Sequence, residues 1–430
     1  MGKPDFDVIV VGGGIAGTVA AYQLAGQGHA VALLERGESA GSKNLSGGIL
    51  YARAMSAVFP DFLDAAPIER RISQNQLCFL NQDSWVGVDY GDQRLYRGGT
   101  AVSVLRARLD PWLAERCEEA GVAVMPGVRV DALVQEASRI VGVRAGEDEL
   151  RSRVVIAADG VNSFLARDIG LRAKPRLNHQ AVGIKAVVKL DTGRIEDRFG
   201  VTGDDGKAFA LVGDCTRGVA GGAFLYTNRD SVSLGVVLRL DDLVATGLSS
   251  PAVFDHFLEH PFVARYIDGG ELLEYGAHLV NEGGTAMAGR RVADGLVVVG
   301  DAAGLTINTG LTVRGMDLAA GSAVAAATAI HDALVAGDTS AAGLAGYERH
   351  LATSFVGQDT TTYARAPRFF EDQRLYTDVG PLLAQVLYSV FNLDGTPRRR
   401  FVPTARAALK GSPLSLAAVA GLAAKAARAL

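Results

Sequence analysis

The sequence predicts an α/β protein in which a parallel, Rossmann-like sheet is interrupted by an inserted antiparallel sheet and followed by a helical C-terminal region. Three observations support this arrangement. An apolar run at 8–11 leads directly into a glycine-rich turn, and apolar residues alternate with other residues over much of 180–280. Aromatic residues and leucines then recur at spacings near three and four in 341–394, which is typical of packed helices.

These changes of pattern divide the chain into three expected domains. The first is a dinucleotide-binding domain formed by two separate stretches, and the second is an antiparallel-sheet domain inserted between them. The third is a helical region that ends in a basic, apolar tail. Their expected limits are 1–175 with 285–345, then 176–284, and finally 346–430.

The turn after the first strand carries the spacing G-x-G-x-x-G. Gly12, Gly14 and Gly17 would allow a tight turn, a close approach of backbone to a pyrophosphate, and a close helix–strand contact. The segment 18–25 is expected to be a helix whose N-terminal amides face the phosphates. A second predicted strand ends at Glu35, where a carboxylate would accept from a ribose hydroxyl. This order indicates a dinucleotide site; the alternative is an ordinary βαβ turn.

Composition and charge are those of a folded globular protein with a basic end. The 430 residues are 48% hydrophobic and 21% charged, which argues against disorder. The formal net charge is -4, and 395–430 holds seven basic residues and no acidic one, so that 1–394 carries -11. We expect no nucleic-acid partner.

The cysteines indicate a reducing compartment. Cys78, Cys117 and Cys215 form no C-x-x-C pair and cannot supply four ligands to an iron–sulfur cluster or a structural zinc ion. We expect reduced, structural thiols and no metal. The first apolar run is a strand ended by glycines rather than a secretory signal, and no uncharged apolar stretch reaches about 18 residues. We therefore expect a cytoplasmic protein.

Further strands are expected to rejoin the first sheet, and one of them ends in Ala158-Asp159-Gly160, at the kind of edge where doubly wound sheets bind ligands. A glycine-rich stretch, 41–50, precedes a predicted helix; its double glycine would let backbone lie against a flat ring, and the alternative is a plain surface turn. The expected strands are 122–124, 128–130, 140–143 and 154–158, and the expected helices are 51–59 and 111–120.

A second buried strand, 296–299, runs into Gly300 and Asp301, followed by a predicted small-residue helix over 315–336. A carboxylate in this position would accept from a polyol, and the helix start after Gly310 would point amides at the same ligand. An isolated Gly-Asp pair is more often a turn. Its pairing with the first glycine motif favours a ligand site.

The three motifs together resemble the FAD-dependent hydroxylase-type superfamily, which also contains the geranylgeranyl reductases and the electron-transfer-flavoprotein:quinone oxidoreductases. The resemblance implies that the dinucleotide is FAD, with the glycine fingerprint on the pyrophosphate. It also implies that Glu35 binds the adenosine ribose, Arg106 lies near the cofactor, Val130 lies under the adenine and Asp301 binds the ribityl chain. The other expected cofactor contacts are Ile15, Ala16, Arg36, Lys43, Ser46, Gly47, Gly48, Ala158, Asp159, Gly160, Gly300, Gly310 and Leu311.

Longer stretches are similar to the FixC proteins. They are 41–50 (GSKNLSGGIL), 274–284 (EYGAHLVNEGG) and 304–317 (GLTINTGLTVRGMD), and the similarity extends to about residue 400. FixC is the quinone-reductase-like subunit of the electron-bifurcating FixABCX complex, named for nitrogen fixation. The resemblance therefore implies an FAD that accepts electrons from a FixA/FixB-like electron-transfer flavoprotein and passes them toward quinone.

One departure from the related single-chain quinone oxidoreductases concerns their C-terminal, cysteine-ligated cluster domain. This chain ends without cysteines, so the resemblance implies that clusters come from a separate ferredoxin-like subunit, FixX. The apolar run at 414–424 has basic flanks and would lie in a membrane interface, as a peripheral contact, or dock on a partner. The alternative is a helix packed on its own protein.

Flavin carries the redox chemistry in this interpretation, so few protein groups are needed. Gly47, Gly48 and the loop 276–284 would shape the quinone side. His278 is the candidate for quinone protonation because its ordinary pKa lies near neutrality, although a structural histidine is the alternative. The competing functions are a geranylgeranyl-reductase-like enzyme, an aromatic hydroxylase or halogenase, and a non-catalytic flavin scaffold for electron-transfer partners.

Overall fold

The computed structural model describes residues 3–44, 47–287 and 289–430, and its first layer is a parallel sheet. From edge to edge this sheet contains Leu296–Val298, Asp148–Ala157, Phe6–Val11, Val31–Glu35 and Ala123–Pro126, all parallel. Val292–Ala293 adds a short antiparallel edge, and the hairpin Ala132–Glu136 with Arg139–Ala145 extends from the first half of Asp148–Ala157. The central strands are almost continuously apolar and buried, as expected for a sheet covered on both faces.

Three long helices pack with this sheet into the larger core: Ile15–Gly26, Arg106–Glu119 and Met316–Ala336. The last of them consists mainly of alanine and other small residues, so neighbouring elements approach it closely. Tyr347, on Gly346–Thr353, is fully buried and donates a hydrogen bond to the carbonyl oxygen of Val298. This contact joins the C-terminal region to the parallel sheet.

Met316–Ala336 is also long and apolar enough to cross a membrane. Most of its residues are buried against the protein's own core, which accounts for its apolar composition.

The second layer is a nine-stranded, largely antiparallel sheet. Its order is Glu271–Asn281, Gln180–Lys189, Ser231–Arg239, Gly221–Thr227, Asp205–Gly213, Ile68–Asn81, Ala101–Val104 and Gly48–Tyr51, and Ser84–Gly91 pairs with Ile68–Asn81. One pair, Asp205–Gly213 with Ile68–Asn81, is parallel. The sheet therefore combines strands from 180–281 with four strands from 48–104, and the expected limits of the three domains stay a prediction.

One face of this sheet carries the second core. Thr192–Phe199, Ser250–Glu259 and Pro261–Ile267 cover it, and Phe199 and Phe262 pack edge to face on Phe209. The opposite face turns toward the carboxyl edge of the parallel sheet around Lys185. We call the region between them the junction; it is defined by Gly47, Gly48, Arg106, Lys185 and Asp301.

The remaining helices are short or belong to the C-terminal region. The short ones are Arg53–Val58, Phe62–Ala65, Gln93–Gly98, Phe164–Asp168 and Leu240–Thr246. After Gly346–Thr353 come Phe355–Thr362, Ala366–Phe369, Arg374–Thr377, Val379–Phe391, Phe401–Lys410 and Leu416–Ala429. The predicted order of parallel sheet, antiparallel sheet and helical C-terminal region is confirmed.

Local differences from the sequence predictions have simple physical causes. The helix expected from Pro111 begins at Arg106, so that Pro111 lies inside it. Residues 128–130 form no strand, although the amide of Val128 donates to the carbonyl oxygen of Glu35 at 2.9 Å. Tyr51 ends a strand rather than beginning a helix, because Gly48–Tyr51 pairs with Ala101–Val104. Periodicity does not show such a long-range pairing.

Candidate functional site

Three motifs that lie far apart in the sequence meet at the carboxyl edge of the parallel sheet. The amide of Gly12 donates to the carbonyl oxygen of Leu34 at 2.8 Å, and the amide of Ala158 donates to that of Val11 at 2.9 Å. The amide of Val299 donates to the carbonyl oxygen of Ala157 at 3.1 Å. The turns after these strands are therefore neighbours, at the edge where open α/β sheets bind ligands.

The glycines of the first turn have separate structural roles. Gly12 has φ +110°, and a Cβ there would collide with the carbonyl oxygen of Ala158. A Cβ on Gly17 would collide with the carbonyl oxygen of Gly12, so helix and turn are in close contact. Gly14 is different, because the nearest atom to its Cβ position is Nη2 of Arg106 at 3.6 Å. Ile15 and Ala16 follow, buried, at the start of the helix.

Glu35 is held at the end of its strand by two backbone amides. Its Oε2 accepts from the amide of Gly13 at 2.8 Å, and its Oε1 accepts from the amide of Gly37 at 2.7 Å. Arg36 is exposed next to it, and Val130 is partly buried nearby, on the loop that hydrogen-bonds to Glu35. The carboxylate thus lies against the glycine turn.

The loop at 41–44 is joined by Asn44 to a buried ion pair within the helix that starts with Arg106. Nε and Nη2 of Arg106 donate to the two carboxylate oxygens of Asp110, both at 2.6 Å, and Asp110 is fully buried. Nδ2 of Asn44 donates to the same carboxylate at 2.7 Å. Burial opposes the charge of Arg106, but Asp110 outweighs it and raises the pKa of the guanidinium. Lys43 is exposed on this loop, and Ser46 lies outside the described residues.

Asp301 lies on a one-turn 3-10 helix, Gly300–Ala303, and faces Arg106. Burial raises the pKa of its carboxyl group, while Arg106 and Arg172 act in the opposite direction. The backbone carbonyl oxygen of Asp301 accepts from Nδ2 of Asn281 at 3.0 Å. Gly300 has φ +59°, and a Cβ there would press on the methyl group of Ala16 at 2.9 Å. This glycine therefore lets the Asp301 turn approach the first helix.

The middle motif carries an unpaired polar atom. Oδ2 of Asp159 accepts from the amide of Leu165 at 3.1 Å, but among the described residues no group donates to the buried Oδ1. Burial raises the pKa of this carboxyl group. Gly160 follows with φ +76° and open space around its Cβ position. A buried acceptor without a partner is unfavourable, so it suits a site that is completed by a ligand.

The last predicted contacts are arranged differently from the sequence interpretation. Gly310 lies in the turn of a short hairpin, Ile307–Asn308 with Val313–Arg314. The long helix begins after this hairpin, at Met316. Gly310 has φ +72° and donates its amide to Oδ1 of Asn308 at 2.8 Å, and Leu311 at the hairpin tip is 62% exposed. The helix predicted over 315–336 is therefore present, but Gly310 lies in the hairpin turn before it and not at its first turn. The free amides of the helix belong to the residues that follow Gly315.

The antiparallel sheet contributes several side chains that the sequence interpretation missed. Nζ of Lys185 donates to the carbonyl oxygen of Gly47 at 3.4 Å, and the ring of Phe224 stacks on Tyr226 with centroids 4.8 Å apart. Gly47 has φ +89° and lies against Ser233. A lysine inside an alternating apolar strand was the available signal, but alternation alone assigns it to a solvent face.

Gly48 and His278 complete the junction. The Cβ position of Gly48 lies 3.1 Å from Cε of Met316, so this glycine borders the start of the long helix. His278 is partly buried, and burial, followed by the charges of Lys185 and Arg36, lowers its pKa. The imidazole is therefore neutral at physiological pH.

No group of three or more His, Cys, Asp or Glu side chains within 3–44, 47–287 and 289–430 is arranged to hold a metal ion. The three cysteines are buried free thiols. Burial raises the pKa of Cys78 and of Cys117 to about 12, so both are protonated at neutral pH.

Comparison with known proteins agrees with this geometry. The model of a family described as "FAD binding domain" matches residues 5–199. The probable electron transfer flavoprotein-quinone oxidoreductase YdiS of Escherichia coli (strain K12) is 45% identical over 93% of each chain. Protein FixC of the same strain is 42% identical over 92% of each chain, and Protein FixC of Salmonella typhi is 41% identical over 92% of each.

Solved structures share the fold at low sequence identity. A geranylgeranyl bacteriochlorophyll reductase-like protein of Thermoplasma acidophilum superimposes with a TM-score of 0.68 at 19% identity, covering 99% of this chain and 100% of the other. The myxobacterial chondrochloren halogenase CndH, a variant of the FAD-dependent halogenases, gives 0.61 at 21% identity, covering 99% and 91%. These likenesses confirm the hydroxylase-type fold class.

The expected cofactor and enzyme class are confirmed as well: the chain binds FAD and is an FAD-dependent oxidoreductase with a role in electron transfer. Its similarity to the curated relatives extends over nine-tenths of its length at more than 40% identity. The chain therefore belongs to the FixC family of flavoproteins, within the superfamily of electron-transfer-flavoprotein:quinone oxidoreductases and geranylgeranyl reductases.

Proposed function

We propose that this protein accepts electrons from a FixA/FixB-like electron-transfer flavoprotein and passes them to quinone through its FAD. One observation carries the proposal: a relative named as a probable electron transfer flavoprotein-quinone oxidoreductase matches 93% of the chain at 45% identity. We further propose that the protein works in a FixABCX-type bifurcating complex with a ferredoxin-like FixX subunit. The relatives named FixC support this second step.

FAD is proposed to bind across the carboxyl edge of the parallel sheet. The turn at Gly12, Gly14 and Gly17 holds the pyrophosphate, and Glu35 holds the adenosine ribose. Asp301 binds the ribityl chain with Arg106 beside it. The structure supports this placement through the open space at Gly14 and the unpaired Oδ1 of Asp159. Bound FAD supplies the redox chemistry, and these residues bind and orient it.

The quinone side is proposed to lie at the junction, between Gly47-Gly48 and the segment 276–284, which is a strand as far as Asn281 rather than the expected loop. Phe224 and Tyr226 offer a stacked aromatic surface there, which suits a flat ring. Burial raises the pKa of Tyr226, so its hydroxyl keeps its proton. His278 stays a weaker hypothesis as the proton donor, because its lowered pKa leaves it neutral.

Reduced electron-transfer flavoprotein is expected to reduce the bound FAD, and NADH alone is not. The physical reason is that the sequence contains one dinucleotide fingerprint, and FAD occupies it. The measurement is anaerobic loss of the flavin visible absorption after mixing with each reductant, followed by reoxidation with a soluble quinone. Rapid stoichiometric reduction by NADH alone would contradict the proposal.

Membrane contact is proposed to involve the C-terminal helices. Phe391, Leu393, Phe401 and Val402 are between 58% and 77% exposed, and they flank the basic run 398–400. Exposed apolar side chains beside basic residues favour the surface of an anionic bilayer, from which quinone is available. In the basic tail after residue 410, Leu416 is exposed, whereas Leu422 is buried and Lys425 pairs with Asp372 at 3.0 Å.

A Phe391→Asp/Phe401→Asp double variant is expected to bind anionic vesicles about tenfold more weakly than the wild type, because it replaces apolar side chains that would enter the bilayer surface by charged ones. Co-sedimentation with vesicles measures the bound fraction. Val244→Asp is the matched control, since Val244 is 70% exposed on the antiparallel-sheet domain. Equal loss in the control, or none in the double variant, contradicts this membrane surface.

A geranylgeranyl-reductase-like activity is the second candidate, and only the structural likeness favours it. That likeness has a TM-score of 0.68 at 19% identity. It shows a shared fold, and a shared fold does not imply a shared substrate. Affinity purification from the host distinguishes the two candidates. Co-purified flavoprotein and ferredoxin-like subunits support the electron-transfer function, and their absence favours the lipid reductase.

A further inference from the structure

Lys185 lies on the face of the antiparallel sheet that turns toward the parallel sheet. Its strand, Gln180–Lys189, runs between Ser231–Arg239 and Glu271–Asn281. Neighbours on this strand, Ile184 and Ala186, point into the core beneath the covering helices. Because side chains alternate along a strand, Lys185 points the other way, into the junction.

The ammonium group of Lys185 lies between a backbone carbonyl and an aromatic ring. It is 3.4 Å from the carbonyl oxygen of Gly47, and it lies over the ring of Phe224, 5.6 Å from the centroid. A flat ring that lies against the backbone of Gly47-Gly48 would therefore lie beside this charge. We propose that the flavin ring of FAD is such a ligand.

Titratable groups from three other elements face Lys185. Arg106 begins the helix Arg106–Glu119, and Asp301 lies on the 3-10 helix Gly300–Ala303. Glu274 and His278 lie on the adjacent strand, Glu271–Asn281. Arg106 repels the ammonium group, whereas Glu274 and Asp301 attract it. Burial is the largest influence and, together with Arg106, lowers the pKa of Lys185 to about 8. This lysine can therefore change its charge within the physiological range, which an exposed lysine does not do.

We infer that Lys185 compensates the negative charge that electron uptake adds to the junction, and that it takes up a proton as it does so. Two electrons from the reduced flavoprotein, taken up together with one proton, would add one net negative charge to an FAD held at the junction. An ammonium group alongside stabilises that charge, and the charge in turn favours protonation of a neutral Lys185 from solvent. This inference rests on the proposed placement of FAD.

The sign of the pH effect follows from this coupling. At pH values below about 8 the lysine is already protonated, and electron uptake adds no proton to it. Above that pH the amine is neutral in the oxidised protein and gains a proton when electrons arrive. The midpoint potential of the bound FAD should therefore fall more steeply with pH above about 8 than below it.

The test compares wild type, Lys185→Met and Lys185→Arg by spectroelectrochemical titration of bound FAD from about pH 6 to about pH 10. We expect Lys185→Met to bind FAD, to have a lower midpoint potential and to lose the steepening. Lys185→Arg should keep a potential near that of the wild type at neutral pH and also lose the steepening, because arginine stays charged. Lys189→Met, on the exposed end of the same strand, is the control and should behave like the wild type.

An unchanged potential and slope in Lys185→Met would overturn the inference and leave Lys185 as a structural contact of Gly47. If Lys185→Met fails to fold or to retain FAD, Lys185→Arg decides: an unchanged steepening overturns the inference, and its loss supports it. Wild type that binds FAD and accepts electrons but shows no steepening also overturns the inference, while the proposed function stands. Failure of the flavoprotein to reduce the FAD contradicts the proposed function instead.

Discussion

A Gly14→Val variant is expected to fold normally and to bind FAD at least about 100-fold more weakly, a loss of roughly 2.7 kcal/mol. Gly14 has φ -79° and extended ψ, a conformation that valine adopts readily. Around its Cβ position the nearest atom is Nη2 of Arg106 at 3.6 Å, so a Cβ atom fits the cofactor-free protein. The same side chain would occupy the space through which the pyrophosphate approaches the backbone.

The measurement is the FAD dissociation constant, from titration of the cofactor-free protein, together with circular dichroism to verify the fold. Gly26→Ala is a suitable control because no atom lies within 4 Å of its Cβ position, at the far end of the same helix. FAD affinity within twofold of wild type in Gly14→Val would show that the pyrophosphate does not lie on this turn.

An Asp110→Ala variant is expected to lose about 3–5 kcal/mol of the free energy of unfolding, which is typical when one partner of a buried ion pair is removed. Asp110 is fully buried and accepts from Arg106 twice and from Asn44 once. Its removal leaves the largely buried guanidinium of Arg106 without its carboxylate. Because Asn44 also loses its acceptor, the loop that precedes Gly47 is expected to loosen, and FAD binding to weaken.

Denaturant unfolding of the cofactor-free protein measures this change separately from FAD binding. Glu115→Ala is the matched control, since Glu115 is an exposed acid on the same helix, and its effect should stay within about 0.5 kcal/mol. A loss smaller than about 1 kcal/mol in Asp110→Ala would mean that the ion pair does not anchor this loop.

The parallel sheet and its ligand-binding edge were predictable from the sequence because the information is local. Apolar runs that end in glycine turns or Gly-Asp pairs mark buried strands at their carboxyl ends, and parallel strands bring those ends together. Gly12, Asp159 and Asp301 could thus be assigned to one edge although almost 290 residues separate the first from the last. The helix of alanines and other small residues from Met316 was equally clear, since its composition suits close packing.

The details of the turns and the antiparallel sheet were less predictable. The hairpin that contains Gly310 and precedes Met316 depends on two-residue strands, which are too short for a periodic pattern. The pairing of Gly48–Tyr51 with Ala101–Val104 joins segments about 50 residues apart, and alternation does not indicate which strands become neighbours.

By itself, the sequence determined that this chain binds a dinucleotide on a Rossmann-like sheet, and its resemblance to a known family identified FAD and electron transfer. Only the tertiary structure decided which side chains of the inserted sheet meet the glycine turns. Lys185 shows the reason. Alternation assigns this lysine to one of two faces, but packing of the antiparallel sheet against the parallel one determines whether that face meets solvent or Gly47, Arg106 and Asp301.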